Sequence, residues 1–220
     1  MRGKKKKKES KFGVAIEDGQ SMKLISSLKE EELLDVEADS YWCLDEFLES
    51  LQLNYTHEQP GIQRMMQKFQ RLVEECDSSF INYTQSSPVQ ERKLAGHFKE
   101  QGVEFVQFSF RWMNCFLMRE FTLQQIIYMW DTYLAEYHLN KDNVEQFHVF
   151  VCVALLLHFK KELIVECFNK DFADILLFIQ DLPTRDWGEM QMSILMAEAQ
   201  EKRLQWSMSA RVSKKEVSTK

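Results

Sequence analysis

Glycine and proline are scarce in this sequence. The 220 residues include seven glycines and three prolines, a composition that disfavours turn-rich all-β folds. Phosphate-binding loops are also missing, because no two glycines stand in G-x-G or G-x-x-x-x-G-K spacing. The sequence therefore argues against a self-contained nucleotide-binding enzyme of the P-loop or Rossmann kind.

Paired cysteines and long apolar runs are missing as well. The five cysteines include no C-x-x-C pair, so neither a zinc site nor a disulfide framework is indicated, and free thiols in a reducing compartment are expected. The longest apolar run is VFVCVALLL at 149–157, which is too short to cross a bilayer. No apolar segment follows the N-terminal lysines, so no signal peptide is expected, and we predict a cytoplasmic protein.

Charge is distributed unevenly along the chain. The net charge is −6, yet residues 1–11 carry seven basic groups and residues 202–220 carry six, whereas 12–201 hold 15 basic and 32 acidic residues. An acidic body argues against nucleic-acid binding. For the run Lys4–Lys8 several roles stay open: a solvated disordered tail, a localisation signal, or contact with nucleic acid or, weakly, with an anionic membrane.

Apolar residues recur at helical spacing from about Asp39 onwards, and no period-2 strand pattern occurs. Gly102 is a candidate left-handed C-cap and Thr122 a candidate N-cap. We predict an all-α fold with disordered basic tails, whose helices run from Asp39 or Ser40 to about Leu53, then over 62–76, 89–101, 104–119, from Thr122 to about Tyr137, and over 145–160 (apolar all round and therefore central), 172–180 and 186–203.

The spacing of the histidines does not indicate a metal site or a catalytic site. His148 and His158 fall ten residues apart on one predicted helix, about 15 Å apart along its axis, which is too far to share a metal ion. No metal-ligating cluster or G-x-S-x-G elbow accompanies them. We therefore expect no metal and no cofactor, and structural or surface roles for His57, His97, His138, His148 and His158.

The stretch FRWMNCFLMREF at 110–121 places Arg111, Arg119 and Glu120 among large apolar residues. A buried guanidinium costs several kcal/mol unless a carboxylate pairs with it. Asp131 follows Trp130 on the next predicted helix. We expect a structural ion pair between Arg111 or Arg119 and Asp131, or one with Glu120 inside the same helix.

Several stretches together resemble a known family. They are NYTHEQPGIQ (54–63), VQFSFRWMNCFLMREF (106–121), WDTYLA (130–135), FHVFVCVALL (147–156) and FIQDLPTRDW (178–187). Their order and spacing are similar to the C-terminal two-thirds of the TBC domain, the Rab GTPase-activating module. The resemblance implies a two-lobed all-helical fold, a Rab-type small GTPase as partner and a role in vesicle trafficking at the periphery of endomembranes. It divides the chain into an unmatched, largely disordered 1–36, a partial TBC domain at 37–203 and a basic tail at 204–220.

The resemblance also specifies where catalysis resides. The family supplies an arginine from an I-x-x-D-x-x-R motif and a glutamine from a Y-x-Q-G motif, both upstream of the N-Y-T turn. Neither motif occurs here, and Tyr83-Thr84-Gln85 is a chance match because Ser86 follows it. No catalytic residue is therefore carried over, and we expect little or no GAP activity. The alternative is a non-catalytic helical module that binds a Rab or an adaptor.

Four residues of the N-Y-T turn are expected near the partner: Asn54, Tyr55, Gln59 and Gly61. The alternative is a turn-and-cap role, in which Pro60 and Gly61 start a helix and Asn54 and Thr56 satisfy backbone groups. Because the upstream part of the family domain is missing from the resemblance, we also expect exposed apolar surface around 42–51 and 62–76. That helical face would suit a second copy of the chain or an adaptor.

Overall fold

The computed structural model describes residues 26–80, 93–166 and 172–217. Within these residues all regular structure is helical and no strand occurs, so the all-α prediction is confirmed. Lys4–Lys8 and Tyr83–Gln85 lie outside the described residues. The helices are α1 (Glu30–Tyr55), α2 (Pro60–Phe80), α3 (Leu94–Gln101), α4 (Val106–Asn114), α5 (Leu123–Leu139), α6 (Asn143–His158), a short π-helical segment (Glu162–Glu166), α7 (Phe172–Gln180) and α8 (Glu189–Val217).

The chain divides into two units, residues 1–49 and residues 50–220. The main element among the described residues of the first unit is α1. It begins at Glu30, whereas the sequence predicted a start at Asp39 or Ser40. Three acidic residues in its first turn favour a helix N-terminus, and the Glu32 carboxylate accepts the Lys29 N–H at 2.8 Å. Ser40 is not a cap, because its hydroxyl donates to the Val36 carbonyl at 2.7 Å inside the helix.

Apolar side chains of α1 are exposed, as predicted for 42–51. Trp42 and Leu44 are 66% and 56% exposed, and Leu48 is exposed to a lesser degree, whereas Phe47 and Leu51 are buried. The matching prediction for 62–76 is wrong. Ile62 and Phe69 of α2 are fully buried, because the apolar stripe of α2 packs against α3, α4 and α6.

Helix α6 forms the centre of the second unit. Eleven of its residues between Val144 and Leu156 are buried, and the helix packs against α2, α4, α5 and α8. A helix that is apolar around its whole circumference needs neighbours on every side. The prediction of a central buried helix at 145–160 is therefore confirmed.

Helix ends follow the predicted caps at two places. Gly102 closes α3 with φ 73°, a left-handed conformation that glycine adopts without steric cost. Thr122 precedes α5 in a capping box with Gln125. The last helix differs from its predicted end near 203: α8 continues to Val217, and no glycine or proline interrupts residues 204–217. No helix in the described part of the chain is long and apolar enough to cross a membrane.

Candidate partner-binding site

The turn between α1 and α2 holds two residues in the left-handed conformation. Glu58 has φ 66° and Gln59 has φ 48°, although neither is glycine. Each such residue costs of order 1–3 kcal/mol and persists only where its surroundings hold it. Two hydrogen bonds do so here: the Gln59 N–H donates to the Thr56 carbonyl at 3.0 Å, and the Gln63 amide donates to the Glu58 carbonyl at 2.7 Å. Strain of this kind marks a turn as a candidate functional site.

Asn54 and Gly61 meet inside this turn. Asn54 is fully buried, and neither atom of its side-chain amide has a hydrogen-bond partner among the described residues. Gly61 leaves the space that this amide occupies, because a Cβ there would lie 1.9 Å from Asn54 Oδ1. The predicted capping role of Asn54 is thus not observed in the described part of the chain. Its amide instead fills the gap over Gly61.

Tyr55 links the turn to the far end of α4. Its hydroxyl donates to the Asn114 carbonyl over 3.4 Å, a long and therefore weak bond. The side chain is about half exposed, and partial burial, with a smaller effect of nearby Cys115, raises the pKa of the phenol. Tyr55 therefore presents a neutral aromatic surface beside the turn.

A groove of about 460 Å³ lies between α2 and the start of α4. Ser109 lies in its wall, fully buried, and its hydroxyl has no hydrogen-bond partner among the described residues. A buried unsatisfied hydroxyl costs about 1–3 kcal/mol, so its presence calls for an explanation. The lining residues come from the turn, α2 and α4: Glu58, Gln59, Ile62, Gln63, Met66, Gln67, Gln70, Phe105, Val106, Ser109 and Phe110.

The four residues predicted near a partner are placed together by the structure, but in different settings. Gln59 lines the groove and Tyr55 is exposed outside its lining, whereas Asn54 and Gly61 are buried. The remaining lining residues were not singled out from the sequence. Glutamines at 59, 63, 67 and 70 do repeat at helical spacing in QPGIQRMMQKFQ, which is a readable signal, but nothing in the sequence indicated that α4 would pack alongside them.

Arg111 pairs with Glu120 and not with Asp131. The Arg111 guanidinium donates to Glu120 Oε2 at 2.9 Å and lies 2.8 Å from Oε1, and it also donates to the Gln180 carbonyl at 3.2 Å. Burial raises the pKa of the Glu120 carboxyl, while the Arg111 charge opposes that rise. Arg119 and Asp131 are exposed, and Asp131 forms no ion pair among the described residues.

The Arg111–Glu120 pair is not intrahelical. The predicted helix 104–119 ends at Asn114, because Phe116 and Leu117 adopt left-handed φ angles of 47° and 58° and reverse the chain. This reversal brings Glu120 back beside Arg111. The pair fixes a turn to α4 and to the end of α7, and neither partner lines the groove, so its geometry is that of a structural ion pair.

Gln125, which the sequence reasoning did not select, holds a second loop in place. Its Oε1 accepts the Thr122 N–H at 2.7 Å, and its Nε2 donates to the carbonyls of Thr184 and Trp187, both at 2.8 Å. The first bond caps the start of α5, and the other two join it to the segment between α7 and α8. Among the described residues no cluster of His, Cys, Asp or Glu could hold a metal ion.

The helical fold and the strained turn with its groove define an all-α protein with a candidate surface for a macromolecular partner. Comparison with known proteins identifies the family. The family model "Rab-GTPase-TBC domain" matches residues 20–164, and the chain belongs to this family. The match overlaps the predicted domain, whose bounds of 37–203 stay a prediction.

Related proteins agree with this assignment. The chain is 41% identical over 175 residues to the GTPase-activating protein gyp1 of Schizosaccharomyces pombe, covering 80% of this chain and 30% of that protein. It is 39% identical over 175 residues to human TBC1 domain family member 22A, with the same coverage. The chain thus spans about 30% of the length of these relatives.

A solved structure shows the same fold. The crystal structure of the Ypt/Rab-GAP domain of Gyp1p matches with a TM-score of 0.68 and 39% sequence identity. The match covers 81% of this chain and 49% of that chain. The similarity to the TBC domain inferred from the sequence motifs is therefore confirmed.

Proposed function

We propose that this chain binds a Rab-type GTPase through the turn at 54–61 and the adjoining groove, and that by itself it does not accelerate GTP hydrolysis. The observation that carries the proposal is the strained turn of Glu58 and Gln59, which lies inside the range matched by the family model. Strain that the fold maintains beside an open groove is typical of binding sites.

The expected lack of acceleration follows from the side chains that the 220 residues offer. An arginine finger supplied in trans is worth about 10³–10⁵ in rate, and a finger must be free to reach the nucleotide. The chain contains neither an I-x-x-D-x-x-R nor a Y-x-Q-G motif. Arg111 is engaged with Glu120 and a backbone carbonyl, so it does not substitute for that finger.

The cellular role belongs to the same proposal. We place the role of a Rab-binding chain in vesicle trafficking, in the cytoplasm at the periphery of endomembranes. The free cysteines at Cys43, Cys76, Cys115 and Cys152 are compatible with a reducing compartment. The basic run Lys4–Lys8 would add a weak attraction to anionic lipid.

Two assays on one panel of purified Rab proteins test the proposal. A pull-down against GTP-loaded Rabs is expected to find at least one bound partner, and single-turnover hydrolysis is expected to accelerate by less than about tenfold, far below the range of an arginine finger. Larger acceleration that disappears in a Gln85→Ala variant would show that the Tyr83–Gln85 motif is catalytic. Absence of binding to every Rab would refute the binding role.

A further inference from the structure

The groove between α2 and α4 carries a more specific inference, which rests on the proposed function. We propose that it binds an extended, uncharged polypeptide segment of the partner GTPase, with the amides of Gln59 and Gln67 pairing with the backbone of that segment. Three properties of the groove lead to this assignment: its charge, its amide side chains and its apolar wall.

Charge excludes the other common ligands. Glu58 is the single charged residue among those that line the groove, and none of them is basic. Phosphate groups, nucleotides and anionic lipid headgroups are bound by cationic side chains or by clustered backbone N–H groups, and metal ions need several carboxylates or imidazoles. Ten of the eleven lining residues are neutral, so a neutral ligand fits the groove, and a strongly acidic segment would be repelled by Glu58.

Amide side chains supply the polar part of the site. Gln63, Gln67 and Gln70 follow at i, i+4 and i+7 on one face of α2. Gln63 is engaged with the Glu58 carbonyl at 2.7 Å and Gln70 with the Glu74 carboxylate at 3.3 Å. The amides of Gln59 and Gln67 have no hydrogen-bond partner among the described residues. Each offers one acceptor and two donors, which complement the N–H and C=O groups of an extended backbone.

An apolar wall faces these amides. Val106 and Phe110 of α4 are 53% and 42% exposed, and Met66 of α2 contributes an adaptable thioether to the same groove. Alternate side chains of an extended segment point in opposite directions, so every second one would pack against this wall. Ser109, whose buried hydroxyl has no partner among the described residues, lies in that wall.

The turn prepares the site before binding. Gln59 is held at φ 48° by its own hydrogen bond to Thr56 and by the Gln63 bond to Glu58. A side chain whose backbone is already fixed loses less entropy on binding. This accounts for a strained turn at the mouth of the groove, since the strain presents the Gln59 amide to the ligand.

The first experiment locates the partner segment. Gln70, which is exposed, lines the groove and takes no part in the proposed pairing, is replaced by the photo-crosslinker p-benzoylphenylalanine, and the protein is irradiated with GTPγS-loaded Rab proteins. The same replacement at Gln124, exposed on α5 outside the groove, is the control. We expect position 70 to crosslink to one uncharged, extended stretch of the GTPase and position 124 to none. Crosslinks from 70 to a helix or a charged stretch would overturn the proposal.

The second experiment tests the groove without any Rab. The methyl signal of Met66, assigned with a Met66→Leu variant, is followed by NMR during titration with a capped hexapeptide of alternating valine and threonine. Capped peptides of the same length rich in lysine or glutamate serve as controls. We expect the neutral peptide to shift Met66 and not the exposed Met208 of α8, with affinity falling at least about fivefold in Gln67→Trp, which fills the groove, and unchanged in Gln124→Trp.

The two experiments separate the inference from the proposed function. If neutral peptides shift Met66 while no Rab binds the chain, the assignment of a Rab partner is wrong and the groove remains a peptide site. If a Rab binds but position 70 gives no crosslink and no neutral peptide shifts Met66, the groove assignment is wrong and Rab binding resides elsewhere. Equal binding of neutral and charged peptides would also contradict it.

Discussion

The buried amide of Asn54 occupies the space that a side chain at Gly61 would need. A Cβ at position 61 would lie 1.9 Å from Asn54 Oδ1 and 3.0 Å from Asn54 Cγ. Asn54 is fully buried, so it has no room to turn away. The two residues therefore define the path of the chain from α1 into α2, and through it the position of Gln59 at the groove.

A Gly61→Ala substitution is expected to destabilise the protein. Overpacking of a buried site costs about 1–3 kcal/mol, and the contact at 1.9 Å places this change at the upper end. The measurement is the free energy of unfolding from urea titration. A double variant with Asn54→Ala is expected to recover much of the loss, because it removes the atoms that clash.

Gly96 of α3 provides the matched control for this change. The nearest atom to a Cβ there is 3.9 Å away, and alanine is favoured over glycine in a helix by about 1 kcal/mol. Gly96→Ala should leave stability unchanged or raise it. Equal losses at 61 and 96 would contradict the steric explanation.

Replacement of Arg111 is expected to lower the free energy of unfolding substantially. An Arg111→Met variant leaves the Glu120 carboxylate, whose side chain is 2% exposed, without its cationic partner, and breaking a buried pair in this way costs about 3–5 kcal/mol. Replacing both partners, in Arg111→Met with Glu120→Gln, should restore part of that loss. A double-mutant cycle by urea unfolding measures the coupling between the two side chains.

Arg119 is the control for the ion pair, since it stands in the same segment but is exposed. Arg119→Met should change the free energy of unfolding by no more than about 0.5 kcal/mol. Similar losses in Arg111→Met and Arg119→Met would mean that Arg111 stabilises the protein through general charge and not through its contact with Glu120.

Local features of this fold could be predicted from the sequence, whereas the contact of Arg111 with Glu120 could not. Periodicity located α2, α5, α6 and α7, and residue chemistry identified the caps at Gly102 and Thr122, because both signals are local. The partner of Arg111 was not predictable, since the turn that returns Glu120 to it uses left-handed Phe116 and Leu117 where a glycine would have given the signal.

The candidate site was predictable to a smaller extent. The motif around Gln59 and Gly61 drew attention to the turn, and the strain at Glu58 became visible only in the backbone angles. The groove depends on α4 packing beside α2, a contact between segments some forty residues apart in the chain. Neither composition nor periodicity contains such a contact, so Ser109 and Phe110 carried no signal.

Gln125 is expected to contribute more to the free energy of unfolding than its neighbour Gln124. A Gln125→Ala variant removes the acceptor of the Thr122 N–H and the donor to the carbonyls of Thr184 and Trp187. Leaving buried polar groups unsatisfied costs about 1–3 kcal/mol. Exposed Gln124 has no comparable role, so Gln124→Ala should be nearly neutral in urea unfolding. If Gln125→Ala leaves the free energy of unfolding unchanged, water replaces all three bonds.

His148 makes stability depend on pH. Nδ1 of the buried imidazole lies 2.8 Å from the Tyr133 hydroxyl, and Nε2 donates to the Trp112 carbonyl at 3.0 Å. In the neutral ring Nδ1 accepts the tyrosine proton. Burial lowers the pKa of His148 from 6.5 to about 4. The unfolded chain therefore binds a proton first as the pH falls, and the free energy of unfolding should decrease by about 1.4 kcal/mol per unit between pH 6.5 and 4.

A variant comparison isolates this dependence from other titrating groups. Glu120 changes the free energy of unfolding in the opposite direction. Its raised pKa makes the folded state bind a proton before the unfolded chain does. The contribution of Glu120 to the free energy of unfolding therefore increases as the pH falls towards 4.5. Urea unfolding at pH 7.5, 6 and 5 should give a flatter profile for His148→Asn than for the wild type, although the variant is less stable at pH 7.5. His138→Asn, at an exposed position, should keep the wild-type slope. Parallel profiles for all three proteins would mean that His148 is protonated in the folded state, with Tyr133 reoriented around it.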